Sequence, residues 1–181
     1  MAAITLIEAI TQALAYEMRN DETVIVLGED VGVNGGVFRA TAGLQERFGT
    51  LRVQDTPLAE GMIAGLAIGM AGQGLRPVAE IQFMGFIYPA MDQIANHMAR
   101  MRNRTRGRIT LPLVMRMPHG GGIHAPEHHS ECLEAMLAHH PGLRVVCPSS
   151  PARAYGLLLP TRKCATWIWT APCASPSPPP P

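Results

Sequence analysis

Three stretches of this 181-residue chain carry residue types that could do chemistry. The first is DTPLAEGMIAGLAIGMAG. Here Glu60 follows a short extended segment and opens a run made otherwise of apolar residues and glycine. A carboxylate at the edge of an apolar region can hold or share a proton with a ligand nitrogen. The positive end of a helix attracts acids for purely structural reasons, which is the plainer account of Glu60. The second is AEIQFMGFIYPAMDQIANHMA, where Gln82 and Phe86 lie four residues apart at and past a strand end. An amide and a ring so placed can bond to and stack on a flat heterocycle, although a core Phe beside a capping Gln is the commoner pairing. The third is MPHGGGIHAPEHHSE, a glycine loop crowded by His119, His124, His128 and His129. Its histidines lack HxH or HxxxH spacing on a regular element, and no CxxC pair exists, so no metal site is expected. A histidine serving an anionic substrate suits such a loop better, with a metal-dependent hydrolase as the alternative.

These stretches need a scaffold, and the patterning supplies one. Apolar residues from Leu6 to Met18 repeat with helical spacing, and Thr5 with Glu8 forms a capping box. VIVLG (residues 24–28) is a fully apolar run, read as a buried parallel strand. Strands near 51–54, 77–83, 111–117 and 143–148 then alternate with helices near 40–48, 60–71, 89–102, 131–139 and 151–159. Alternation of this kind predicts a three-layer α/β domain, a parallel sheet with helices on both faces. Ligands of such sheets lie beyond the carboxyl ends of the strands, where all three stretches fall. The helix opened by Glu60 carries Gly61, Gly65 and Gly69 at four-residue intervals. It is expected to be buried, its smooth face packing closely, with a subunit interface favoured.

Composition narrows the class. A formal net charge of +1 without a long basic run argues against nucleic acid as the main partner. No apolar run is long enough for a membrane span. Four scattered Cys and a start without a basic region before its apolar stretch predict a cytoplasmic protein.

The order TPLAE, small-residue helix, AEIQF, PAMDQIANHMA, GGG loop, HHSE and HHPGLRVVCPSSPARAYGLLL resembles the beta subunit of the decarboxylating component of pyruvate and branched-chain 2-oxoacid dehydrogenase complexes. The resemblance runs from about residue 3 to residue 159. It implies a transketolase-like, pyrimidine-binding domain of a thiamine diphosphate enzyme over residues 1–159, with the cofactor between alpha and beta subunits. By that resemblance Glu60 bonds the aminopyrimidine nitrogen and favours the imino tautomer that deprotonates the thiazolium carbon. The carbanion attacks a 2-oxoacid, carbon dioxide leaves and the acyl group passes to lipoyl on the acyltransferase component. Gln82 and Phe86 line the pyrimidine pocket, the backbone of Leu58 contacts it, and His129 serves acyl transfer. No GDG motif occurs here. The resemblance therefore assigns magnesium and diphosphate to the alpha subunit of an alpha2-beta2 assembly.

Beyond Leu159 the chain departs from that family. PTRKCATWIWTAPCASPSPPPP (residues 160–181) is expected to be a disordered proline-rich tail replacing a strand and a second, carboxy-terminal transketolase-type domain. A frameshift would account for it. Read one base earlier, the Trp167–Ile168 and Trp169–Thr170 junctions both encode Asp, as suits the family's acidic segment.

Overall fold

A computed structural model describes residues 4–125, 127–159 and 166–172. Helix α1 (Leu6–Asn20) begins where the capping box predicts. The Glu8 amide donates to Thr5 Oγ1 at 3.2 Å and the Thr5 amide donates to Glu8 Oε2 at 2.7 Å. Then follow β1 (Val24–Gly28), α2 (Leu44–Phe48), β2 (Val53–Asp55), α3 (Glu60–Gly72), β3 (Arg76–Glu80), α4 (Met101–Arg104), β4 (Val114–His119), α5 (Glu134–Ala138), β5 (Leu143–Val146), α6 (Pro151–Leu158) and β6 (Thr166–Pro172).

The strands form one sheet in the order β2-β1-β3-β4-β6-β5, with every pairing parallel. Alternate residues of each strand feed opposite faces. Val26, Val78 and Val114 join Ile10, Leu14 and Met18 of α1 and Leu158 of α6 on one side. Leu27, Ala79 and Met115 join Ile63 and Ala67 of α3 and Leu137 of α5 on the other. The three-layer α/β architecture is thus the one the alternation predicts. Each fully buried Leu, Ile or Val contributes about 1.5–3 kcal/mol.

The structure differs from the sequence reading in three places. The helix expected over residues 89–102 is broken into a 3-10 turn at Tyr88–Ala90, a π-helical turn at Gln93–Met98 and the short α4. Helix α3 is buried on one side only, through Ile63, Ala64, Ala67 and Ala71, while Met62 and Leu66 remain exposed. Its glycine stripe divides: a Cβ on Gly61 would lie 3.0 Å from the Pro89 carbonyl oxygen, whereas one on Gly69 would meet nothing. Close packing at Gly61 is therefore internal to the domain.

The third difference concerns the tail. Residues 160–165 and 173–181 lie outside the described residues. Thr166–Pro172, expected to be disordered, form β6, paired with β4 on one side and β5 on the other. The sheet position expected to be vacant beside LRVVCP is filled by this segment.

Candidate active site

The chain passes from β1 to β2 on one side and later to β3 on the other. The order thus reverses about β1, and the carboxyl edge of the sheet at such a reversal is where parallel α/β sheets hold their ligands. Glu29 is the first residue past β1 on this edge. Its loop is tied down: the Gly32 amide donates to Asp55 Oδ1 at 2.6 Å, the Gly36 amide to the Asp30 carbonyl at 2.8 Å, and Thr41 Oγ1 to the Val31 carbonyl at 2.8 Å. Asp30 holds a left-handed backbone, with φ of 57°.

Glu60 opens α3 on the same edge and is half-buried. It lies near enough to Glu29 for their charges to interact. Burial pushes the Glu29 carboxyl above its ordinary range, and the negative charges of Asp30 and Glu60 add to this. Among the described residues the Glu60 side chain makes no hydrogen bond or ion pair. The contact of Gly61 with Pro89 sets the start of α3 against the turn that follows Phe86.

Beyond β3 the chain turns through Met84–Phe86 and exposes one edge of an aromatic cluster. The Phe83 and Phe86 rings meet edge to face at 5.7 Å, and Phe38 approaches Phe83 at 5.5 Å. His129 packs edgewise on both, 4.5 Å from Phe83 and 5.0 Å from Phe86. Its Nδ1 lies 2.8 Å from the Glu127 carbonyl oxygen. A carbonyl only accepts, so Nδ1 carries the proton. In the neutral ring Nε2 is left with its lone pair. Glu131 links the two walls, accepting from the Tyr88 hydroxyl at 3.1 Å and lying 3.5 Å from His128 Nδ1.

The structure therefore joins Phe86 to His129 directly and sets Glu60 on the same rim. Gln82 is half-buried two residues past β3, and Leu58 is 70% exposed in the turn before Glu60. Neither makes a side-chain hydrogen bond among the described residues.

Sequence reasoning missed several residues here. Glu29, directly after the apolar VIVLG run, was the most readable of them. Glu80, the last residue of β3, pairs in register with Arg116 within β4, and Arg116 Nε donates to Glu80 Oε2 at 3.0 Å. Both are about 1% exposed, and Glu80 Oε1 is buried without a partner. A second polar group forms where β4 ends. His119 Nδ1 lies 2.8 Å from Glu134 Oε1 and 3.3 Å from Cys132 Sγ. No metal site was expected from spacing. These three come from a strand end, a loop and a helix start, a combination no short motif encodes.

The chain matches the family described as the transketolase pyrimidine-binding domain over residues 2–164. It belongs to that family. It is 59% identical over 159 residues to the pyruvate dehydrogenase E1 component subunit beta of Acholeplasma laidlawii, covering 88% of this chain and 49% of that protein. The same subunit from Bacillus subtilis is 58% identical over the same shares. The chain thus spans about half the length of the curated relatives it matches. A solved structure described as a split-gene transketolase, inactive beta4 tetramer, superposes with a TM-score of 0.74 at 19% identity. It covers 95% of this chain and 52% of the other, a likeness of fold. No helix among the described residues is long and apolar enough to cross a membrane.

Proposed function

We propose that this domain forms the pyrimidine side of a thiamine-diphosphate-dependent 2-oxoacid dehydrogenase. It would act on pyruvate or a branched-chain 2-oxoacid as beta partner of an alpha subunit. The observation that carries this reading is the rim itself. It combines a half-buried Glu60 carboxylate without a protein partner among the described residues and an aromatic wall of Phe86 and His129.

That donor set fits the flat, nitrogen-bearing half of the cofactor. Thiamine diphosphate supplies, when bound, the electron sink that decarboxylation of a 2-oxoacid requires. The rest falls to this chain's residues. Glu60 shares a proton with the aminopyrimidine nitrogen, Glu29 beside it keeps that region reluctant to gain further negative charge, and Phe86 excludes water from one side. Gln82 offers a donor and an acceptor to the ring substituents, and Leu58 offers its backbone. His129 Nε2 accepts or returns a proton where the acyl group passes to lipoyl on the acyltransferase component. The absence of a GDG motif leaves magnesium and diphosphate to the alpha subunit of an alpha2-beta2 assembly.

Combining the chain with the alpha subunit of a bacterial pyruvate dehydrogenase tests this. Thiamine diphosphate should bind the mixture more tightly than the alpha subunit alone, and Glu60→Gln should remove the gain. No gain with a complex formed would favour a second reading, a non-catalytic alpha-binding fragment. The exposed Met62 and Leu66 on α3 are consistent with such association.

A further inference from the structure

We propose that His119, Cys132 and Glu134, joined by Cys147, form a binding site for a thiophilic divalent metal such as Zn2+, separate from the Glu60 rim. The ligand atoms of the first three all lie within 4.8 Å of one another. Cys147 Sγ reaches the same carboxylate, 4.0 Å from Glu134 Oε1. Zinc bonds of about 2.0 Å to nitrogen or oxygen and about 2.3 Å to sulfur make tetrahedral edges of roughly 3.3–3.8 Å. The His119–Glu134 and His119–Cys132 separations of 2.8 and 3.3 Å and the 4.0 Å from Cys147 to Glu134 lie around that range, and Cys147 completes the set by turning toward the other three.

An ion pair between His119 and Glu134 would by itself explain two of these residues. It does not explain two thiols from separate loops converging on that pair, Cys132 on His119 and Cys147 on Glu134. Nor does it explain Ser130, whose carbonyl Cys132 Sγ approaches at 3.9 Å and whose Oγ is buried without a hydrogen-bond partner. Buried, under-satisfied groups of this kind are where an absent ion or water belongs. One imidazole, one carboxylate and two sulfurs select zinc, or cobalt in its place, over magnesium or calcium, which prefer oxygen. Cys132 is exposed, which gives the ion a path from solvent.

The four residues come from the end of β4, the loop following it, the start of α5 and the segment after β5. A bound ion would fasten both ends of the loop that carries His128 and His129. The site would then be structural, holding the loop rather than reacting.

The test uses the whole chain, reduced and stripped with a chelator, titrated with Co2+ and then Zn2+. One Co2+ should bind per chain, with a thiolate-to-cobalt charge-transfer band that Zn2+ abolishes. Cys132→Ser should weaken the band. His119→Gln should lower Zn2+ affinity by at least about tenfold, since even outer-shell partners cost that much. His124→Ala should leave binding unchanged. Should the variants fold poorly by circular dichroism, alkylation of the wild type decides: Zn2+ should slow modification of Cys132 and Cys147. The proposal is overturned by a wild type without the band or by thiols unprotected by Zn2+. A band that persists in a folded Cys132→Ser/Cys147→Ser variant, and so arises from Cys164 or Cys173, would overturn it equally.

Discussion

The backbone of Gly85 lies directly against the carbonyl of His128, so closely that a Cβ at position 85 would overlap it. His128 itself holds a left-handed backbone, with φ of 59°. The turn after β3 and the glycine-rich loop after β4 are thus fitted to each other through main chain, and the Phe86–His129 contact follows from that fit.

Gly85→Ala should therefore do more than its size suggests. Overpacking of this kind costs about 1–3 kcal/mol, and the loop can escape it only by moving away. The expected result is a lowered melting temperature together with loss of the ring-current shift of His129 in proton NMR. An unchanged His129 signal would mean that the two segments are not fitted through this contact.

Arg116→Met should be among the most damaging single changes in the sheet. It would leave the Glu80 carboxylate buried and unpaired, a loss of about 3–5 kcal/mol. Adding Glu80→Met should recover part of that loss, because the pair is then replaced by apolar groups. Urea unfolding of both variants checks this, and a double variant less stable than the single would contradict it.

Glu60→Gln, placed in a full-length subunit carrying this domain and combined with its alpha subunit, should lower turnover by at least about a hundredfold, the lower end of what proton transfer contributes. Assembly should be unaffected, as the Glu60 side chain makes no hydrogen bond or ion pair among the described residues and glutamine keeps its size. Near-normal turnover would remove Glu60 from the chemistry.

His129→Ala should separate two half-reactions. Acyl transfer to lipoyl should fall more than decarboxylation measured with an artificial electron acceptor. Equal loss in both assays would assign His129 to positioning the aromatic wall instead.

Glu29 makes stability depend on pH in a defined direction. Its folded pKa is raised, so the native state binds its proton more tightly than the unfolded chain does. That contribution is complete below the unfolded value of about 4.5 and is lost as pH rises through the folded value. Glu29→Gln should raise the melting temperature at pH 7 while changing it little at pH 4. The opposite ordering would show that Glu29 is not disfavoured as a charged group.

Much of the scaffold was legible because parallel strands buried on both faces read as short apolar runs. VIVLG needed no other information, and Thr5 with Glu8 marked the start of α1 to the residue. The segment after Phe86 was not legible as built, since MDQIANHM has good helical spacing and nothing local announces a π-helical turn. β6 was missed for a different reason. The proline run after it set the reading, although TWIWT itself consists of strong strand formers. Within the site, Glu60, Gln82 and Phe86 stood out because each lies at or past a strand end, whereas the resemblance alone singled His129 out from the other loop histidines. The Glu80–Arg116 pair and the His119 cluster depend on register between β3 and β4 and on loops meeting across the sheet edge. No spacing along the chain contains that information.

The placement of β6 also sets an order of events during synthesis. Among the described residues β5 pairs only with β6, which leaves the ribosome after it. The layers from α1 through β4 can assemble on the nascent chain, but β5 must wait for Thr166–Pro172 to emerge and slot in beside β4. Until then the outer side of β4 is open. A pause in translation near Leu159 would prolong the interval in which a neighbouring nascent chain could occupy that place.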